Sequence, residues 1–156
     1  MNEQPFTFKT QLSVGDTGEQ HFSQSYSRFS PMKPDDRRYD FILFNSSSVE
    51  VKTDTYDMNG KLNFFLEYRC GSKAGGPWRS VQDKVTFFVY YFIKNNTYYW
   101  FNPQTMCEVA DKFIRERKPK LFYIKNVDNY GNEYGAEGYA IPRAIFDKVL
   151  LRRETL

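Results

Sequence analysis

Three charged side chains alternate with valine and threonine along residues 48–54: Glu50, Lys52 and Asp54. Alternation with β-branched residues predicts a β-strand, on which residues two apart share a face. One face of the strand would therefore carry a carboxylate, an ammonium group and a second carboxylate. Carboxylates bind divalent cations and a lysine stabilises negative charge, so this face has the residue types that metal-assisted hydrolysis needs.

A further carboxylate, Asp40, lies ten residues before Glu50 in the preceding apolar segment. If the two segments pair as a hairpin across the turn 45–48, Asp40 and Glu50 come close together. Neighbouring carboxylates repel each other and call for a cation, and oxygen ligands favour Mg²⁺ or Mn²⁺. Such a metal lowers the pKa of bound water and neutralises phosphate charge. We therefore predict Asp40, Glu50 and Lys52 as catalytic residues of phosphodiester hydrolysis, with Lys52 orienting the water or stabilising the developing charge.

Basic residues flank the predicted strands and are candidates for holding phosphates. Lys33, Arg37 and Arg38 precede Asp40 in a loop with two prolines. Lys73 and Arg79 lie in and after the glycine-rich stretch 71–78. We interpret these five as nucleic-acid-binding residues, with ordinary solvated loop residues as the alternative. The net charge of +3 permits a polyanionic partner without requiring one.

Length and composition indicate one domain with its own core over 156 residues. Aromatic residues reach 19%, for which packing is the first explanation and base stacking the second. Two cysteines without a metal or disulfide spacing favour a reducing compartment. The N-terminus lacks a signal-peptide pattern, and the longest apolar run, 85–93, is too short to span a bilayer. We expect a soluble, cytoplasmic protein with no membrane partner.

The predicted order is a helix, three meandering strands, a helix, a strand, a helix, a strand and a helix. This order indicates an α/β fold with a mixed sheet flanked by helices. Residues 81–93 are ambiguous, because their composition favours a strand whereas their spacing and length favour a helix. Asn102 and Pro103 form a strong helix start. The predicted elements are a helix at 18–29, strands at 39–45, 49–54 and 61–70, a helix at 81–93, a strand at 97–101, a helix from 103 to about 118, a strand at 121–126 and a short helix from 142, with loops at 71–78 and 127–138.

Asp40 followed by Glu50-Val51-Lys52 on the next strand resembles the PD-(D/E)XK nuclease superfamily, whose restriction-endonuclease-like core is helix, three strands, helix, strand (αβββαβ). The resemblance covers roughly residues 15–145. It extends to small phage-type members, which share a Glu-Val-Lys-Thr-Asp strand like 50–54 and a Gly-aromatic-x-Ile-Pro turn like 138–142. Tyr39 replaces the proline of the family name, a common change in the superfamily.

The resemblance implies a single nuclease-like domain over residues 1–156 that acts on nucleic acid, most plainly DNA. It assigns Glu19, in the first helix, to the metal site beside Asp40 and Glu50. Asp54, Glu67 and Gln82 become candidates for a supporting shell around the site. Many such nucleases act as homodimers, and a phage-type member would work in the host cytoplasm.

Other functions remain open from the sequence. Glu50 and Lys52 could form a cross-strand ion pair on a solvated sheet face, although three carboxylates beside one lysine would be an unbalanced ladder. A protein that kept the nuclease fold could bind nucleic acid or another partner without catalysis. An aromatic-lined single-strand binder is a third hypothesis. Binding of a divalent metal separates the nuclease from both alternatives.

Overall fold

The computed structural model describes residues 8–55, 63–127 and 130–156 of the chain. Within these ranges the chain forms three α-helices and two β-sheets, a mixed α/β architecture as the sequence predicts. None of the described helices is long and apolar enough to cross a lipid bilayer. The elements are α1 (Phe8–Ser25), β1 (Phe41–Ile42), β2 (Ser48–Asp54), β3 (Asn63–Cys70), β4 (Lys73–Ala74), α2 (Gly76–Gln82), β5 (Phe87–Phe92), β6 (Thr97–Phe101), α3 (Pro103–Arg117), β7 (Leu121–Val127), β8 (Glu133–Pro142) and β9 (Leu150–Thr155), with 3₁₀ turns at Ser27–Phe29 and Arg143–Phe146.

The described strands form two sheets, and the chain passes between them four times. The first sheet has the order β1-β2-β5-β6-β9, with β2 and β5 parallel and the other neighbours antiparallel. The second sheet has the order β4-β3-β8-β7 and is antiparallel. The chain passes from β2 to its parallel neighbour β5 through β3, β4 and α2. Strands β3 and β4 of the second sheet therefore lie within the crossover, and β7 and β8 join them from later in the chain.

Apolar side chains form a separate core on each face of the first sheet. On one face, Phe22 and Tyr26 of α1 pack against Val49 and Val51 of β2. On the other face, residues of β5, β6 and α3 pack around the buried ring of Phe64 in β3. Burying one such side chain contributes about 1.5–3 kcal/mol. The valine face of β2 is thus fixed against α1, and its charged residues point the other way.

Residues 81–93, predicted as one helix, instead form the end of α2 and the central strand β5. The helix ends before Lys84, whose φ of 55° is left-handed. Residues 88–92 are all buried, because a core covers each face of this strand. A strand that is buried on both sides has no polar alternation, so its apolar spacing can match a helical face.

The stretch 127–138, predicted as a loop, contains the first half of β8, which lies between β3 and β7. The two glycines of this strand half, Gly135 and Gly138, lie beneath aromatic rings rather than in turns. A Cβ atom at Gly135 would come within 2.5 Å of the Tyr123 ring, and one at Gly138 within 2.6 Å of the Phe65 ring. Glycine inside a strand marks such close approaches, and in the sequence it resembles loop glycine.

The end of the chain also differs from the prediction. The short helix predicted from Pro142 is one 3₁₀ turn, and β9 follows it and pairs with β6 at the edge of the first sheet. Arg152 and Arg153 therefore lie on an edge strand, where Arg152 pairs with Glu154. Charged side chains on an edge strand discourage pairing with other chains.

The three strands predicted at 39–45, 49–54 and 61–70 occur in this order, and the first two pair as the predicted hairpin, but the third does not join them. The first strand, predicted at 39–45, is only two residues long, because a turn closes from Leu43 N to Ser47 O at 2.8 Å. The third strand pairs with β8 in the second sheet and not with β2. The pair Asn59-Gly60 predicts a hairpin turn before the third strand, and this turn lies outside the described residues.

Two later elements match the prediction closely, whereas the first helix does not. The strand at 97–101 and the helix from Pro103 are confirmed. The Asn102 side chain caps that helix by accepting from the amides of Gln104 at 2.9 Å and Thr105 at 3.2 Å. Helix α1 begins at Phe8, ten residues earlier than predicted.

Candidate functional site

The short β1–β2 ladder brings Asp40 beside Glu50. Asp40 donates its backbone N–H to the carbonyl of Val49 at 2.9 Å, and Val49 is also the partner of Phe41, so Asp40 is tied to the end of the ladder. Its carboxylate Oδ2 accepts the amide of Val51 at 2.8 Å. This side chain therefore completes the hydrogen bonding of β2 where β1 ends, and it fixes the Asp40 carboxylate at the strand edge next to Glu50.

Glu19 reaches the same edge from α1. The helix crosses β2 so closely at Gly18 that a Cβ atom there would overlap the Thr53 side chain. This approach carries Glu19 to within hydrogen-bonding distance of the Asp40 carboxyl group. Three carboxylates that are distant in the sequence, Glu19, Asp40 and Glu50, thus converge; we call them the acidic cluster.

Two members of the acidic cluster, Asp40 and Glu50, keep their protons at a pH where ordinary carboxyl groups lose them. Burial raises the pKa of Asp40 to about 7; the hydrogen bond from the Val51 amide opposes this shift, and the charge of Glu19 adds a smaller increase. Burial raises the pKa of Glu50 to about 9, assisted by the charges of Asp40 and Glu19. The cause in both cases is the removal of negative charge from water next to other negative charge. A bound cation would relieve this penalty.

Lys33 lies against the acidic cluster rather than out in the loop. Its ammonium Nζ is 2.6 Å from Glu19 Oε2. The pKa of Lys33 is raised, chiefly by this hydrogen bond. We predicted Lys33 as a phosphate contact, and in the structure it is a counter-ion to a predicted metal ligand. Only the tertiary path of α1 brings Lys33 and Glu19 together, so the sequence carried no signal for this pair.

Lys52 lies two residues beyond Glu50 on the same strand face, and its ammonium group pairs with the next carboxylate along that face, Asp54. Its Nζ is 3.7 Å from Asp54 Oδ1. Asp54 Oδ2 in turn accepts the hydroxyl of Tyr90, whose oxygen accepts the Phe65 amide at 2.9 Å. Asp54 therefore supports Lys52, and Tyr90 ties β2, β5 and β3 together. Sequence reasoning missed Tyr90; the available signal was a phenol inside an apolar run, because a buried hydroxyl needs a partner.

A polar pocket of about 200 Å³ opens beside Glu50. Glu67 faces it from β3, and Gly76 packs so tightly on the Glu67 backbone that a Cβ atom there would come within 2.6 Å of the Glu67 carbonyl oxygen. Gly76 has a φ of 48°, which favours glycine. The pocket brings together three of the predicted phosphate contacts; its lining is Arg37, Arg38, Glu50, Glu67, Cys70, Ala74, Gly75, Gly76, Arg79 and Ser80.

Two of the arginines that line this pocket already have carboxylate partners, and Lys73 and Gln82 lie beyond it. Arg38 forms a forked ion pair with Asp36. Arg79 pairs with Asp83 at 3.4 Å. Lys73 and Gln82 do not line the pocket of Glu50; they line neighbouring pockets around β4 and α2. The structure therefore gathers Arg37, Arg38 and Arg79 at the site and sets Lys73 and Gln82 further along.

The donor set of the acidic cluster fits a hard divalent cation, since carboxylate oxygens are the ligands that Mg²⁺ and Mn²⁺ prefer. In the described ranges, however, no three His, Cys, Asp or Glu side chains are already arranged as a metal-binding group. The contacts of Lys33 with Glu19 and of Glu19 with Asp40 explain this arrangement. A cation would replace the shared proton and displace the ammonium group.

Compared with known proteins, the chain matches no protein-family model, no curated protein and no solved structure.

Proposed function

We propose that the protein is a divalent-metal-dependent nuclease that hydrolyses phosphodiester bonds in nucleic acid. One observation carries the proposal: Glu19, Asp40 and Glu50 converge from a helix and two strands, and burial raises the pKa of two of them. Groups with such perturbed pKa values concentrate at functional sites. A purely structural cluster of buried carboxylates would cost stability without any return.

The residues of the proposed site have two roles, which are metal binding and stabilisation of the charge that develops during hydrolysis. Glu19, Asp40 and Glu50 would hold Mg²⁺ or Mn²⁺, which supplies a water of lowered pKa and neutralises phosphate charge. Lys52 cannot bind a cation, because an ammonium group has no lone pair. It donates hydrogen bonds to the charge that develops on the phosphoryl oxygens, and its ion pair with Asp54 holds it in place.

The arginines of the Glu50 pocket suit a phosphate-bearing substrate. Arg37, Arg38 and Arg79 line the same pocket as Glu50. Guanidinium groups form forked hydrogen bonds with phosphate oxygens. Arg38 now makes such a pair with Asp36, and a phosphate could take the place of that carboxylate. The pocket would therefore hold a phosphate beside the metal site.

We also propose the restriction-endonuclease-like fold for this chain. The order α1, β1, β2, β3, β4, α2, β5 supports it, because apart from the two-residue β4 it follows the αβββαβ core. The parallel pairing of β2 with β5 across α2 fits that order. The membership of β3 in the second sheet is a departure from a simple meander. We interpret the second sheet as an elaboration beside the core, formed by β3 and β4 of the crossover and by β7 and β8 from later in the chain.

Cleavage assays with matched variants test this function. We expect the protein to cleave DNA or RNA with Mg²⁺ or Mn²⁺ and to lose cleavage in Asp40→Asn and in Glu50→Gln. Glu116→Gln, an exposed glutamate on α3, is the control and should cleave as the wild type does. Circular dichroism confirms that each variant folds. Failure of the wild type to cleave single-stranded, duplex and branched substrates with either metal would refute the proposal.

One observation favours a second candidate, a non-catalytic nucleic-acid-binding protein of the same fold. Lys33 already neutralises part of the acidic cluster by its contact with Glu19. A cluster balanced by protons and a lysine can persist without a metal. The two candidates separate in a Mn²⁺ titration, because the nuclease must bind the ion at this cluster and the non-catalytic protein need not.

A further inference from the structure

A groove leads away from the Glu50 pocket around the β3–β4 turn and α2. Next to that pocket lies a space of about 380 Å³, and beyond it a third of about 250 Å³. All three share Ala74, and Arg79 lines both the first and the second. We call this continuous path the β3–β4 groove; beyond the Glu50 pocket it is lined by Tyr68, Arg69, Ser72, Lys73, Ala74, Trp78, Arg79, Gln82 and Asp83.

Two aromatic rings form one wall of the far end of the groove. Tyr68 is 37% exposed, and Trp78 is partly exposed. Their rings meet edge to face, with centroids 4.9 Å apart and an interplanar angle of 80°. The Trp78 indole Nε1 donates to Asp111 Oδ1 at 3.0 Å, which fixes its orientation. Fixed and accessible rings of this kind are platforms on which nucleic-acid bases stack.

Basic side chains run along the groove from these rings to the Glu50 pocket. Arg69 and Lys73 are exposed, and neither forms an ion pair with a carboxylate in the described part of the chain. Arg79 pairs with Asp83 at 3.4 Å across partly exposed surface, a weak contact that a phosphate can replace. The groove thus offers cations at successive positions and two rings at its far end.

We propose that the β3–β4 groove binds an unpaired nucleic-acid strand, with bases against Tyr68 and Trp78 and phosphates on Arg69, Lys73 and Arg79. The inference rests on the proposed function, because it gives the strand a direction toward Glu50. A duplex hides the faces of its bases inside the stack, whereas an unpaired strand exposes them. The rings therefore select single-stranded segments, such as a loop, a flap or an end, over continuous duplex.

Fluorescence anisotropy in EDTA, without divalent metal, measures this binding separately from cleavage. The probes are one labelled single strand, as DNA and as RNA, and the duplex of the same sequence. We expect tighter binding of the single strand and a loss of about 5- to 150-fold in Tyr68→Ala, the effect of one stacked base. Tyr123→Ala, which removes a 66% exposed tyrosine on β7, is the control and should bind as the wild type does.

The basic residues give a second signature in the salt dependence. Lys73→Ala should reduce the slope of log affinity against log salt by about 0.7, the contribution of one single-strand phosphate contact. Lys112→Ala, an exposed lysine on α3, should leave the slope unchanged. Equal slopes for the wild type and both variants would remove Lys73 from the proposed path.

Tryptophan fluorescence reports stacking directly. Trp100 is 5% exposed and packs in the core beneath α1, so quenching by an unlabelled strand must come mainly from Trp78. We expect quenching in the wild type and its loss in Trp78→Phe, which keeps an aromatic ring for folding. Absence of quenching, or tighter binding of the duplex, would overturn the inference. Neither result touches the nuclease proposal, which stands or falls on Mn²⁺ binding and cleavage.

Discussion

Glu50 and Asp54 lie four residues apart on the same face of β2, yet their surroundings are opposite. Glu50 is buried beside two other carboxylates, and its pKa is raised to about 9. Asp54 accepts the Tyr90 hydroxyl and has the Lys52 ammonium 3.7 Å away. Asp54 therefore has favourable partners within the chain, whereas Glu50 is removed from water and repelled by neighbouring negative charge.

The difference shows which end of the strand needs an external cation. A carboxylate with a phenol donor and an ammonium neighbour is balanced without any ligand. A carboxylate buried among carboxylates stays protonated or binds a metal. We therefore assign the metal to Glu50 and its neighbours, and we assign Asp54 to the support of Lys52.

The largest expected effect is a difference in Mn²⁺ affinity between variants of these two carboxylates. Glu50→Gln should abolish Mn²⁺ binding, because it removes a ligand that no neighbour replaces. Asp54→Asn should bind Mn²⁺ with nearly the wild-type affinity. Isothermal titration calorimetry on both variants makes the comparison, with circular dichroism to check folding. Equal loss of affinity in the two variants would erase the distinction.

Lys52→Ala should lower kcat by about 10²–10³-fold while Mn²⁺ and substrate binding persist. The lysine acts on charge that develops in the transition state, so its removal leaves the ground state largely intact. Single-turnover cleavage and the calorimetric titration together measure the two parts. Lys94→Ala, on the β5–β6 turn, is the control. A variant that cleaves at the wild-type rate would remove Lys52 from the chemistry.

Tyr90→Phe should destabilise the fold by about 1–3 kcal/mol, because it leaves the Phe65 amide without its hydroxyl acceptor and Asp54 without its donor. Urea denaturation measures the free energy of unfolding. Tyr91→Phe, on the other face of β5, removes a hydroxyl that bonds His21 at 2.8 Å and donates to Asn96 Oδ1 at 3.0 Å. Because neither partner is a carboxylate or a backbone amide, this change should cost less. The reverse ranking would show that the Tyr90 bridge is unimportant.

The stability of the metal-free protein should fall as the pH rises from about 4 to about 9. The folded-state pKa values of Asp40 and Glu50 are raised to about 7 and about 9. A carboxyl group with a raised folded-state pKa stabilises the fold fully below its unfolded-state pKa, and this contribution is lost as the pH rises through the folded-state value. Urea midpoints across this range test the slope. Glu50→Gln should flatten its upper part, and a wild-type curve that rises instead would contradict the buried cluster.

Much of this arrangement follows from local sequence, and the rest depends on tertiary contacts. The alternation in β2 and the Asn102 cap of α3 gave correct elements, because each is set by neighbouring residues. The nearness of Asp40 to Glu50 follows from a short hairpin. The strand β5 could not be recognised from the sequence, since burial on both faces removes the polar alternation that marks a strand. No local pattern marks the pairing of β3 with β8.

The residues of the candidate site likewise divide into those predictable from local sequence and those that depend on tertiary contacts. Asp40, Glu50 and Lys52 lie within thirteen residues, so their common neighbourhood could be predicted from the sequence alone. The contact of Lys33 with Glu19 depends on where α1 crosses the sheet. The support of Asp54 by Tyr90 joins β2 to β5 across the whole crossover. Such long-range partners can be identified only once the chain path is known.

Proton release on Mn²⁺ binding tests the central claim most directly. Calorimetric titrations at neutral pH in two buffers of different ionisation enthalpy give the number of protons released. A metal that binds at Glu50, whose pKa is about 9, must displace its proton. The account predicts release of about one proton or more in the wild type and in Asp54→Asn, and no metal binding in Glu50→Gln. Mn²⁺ binding without proton release, or binding that persists in Glu50→Gln, would contradict it.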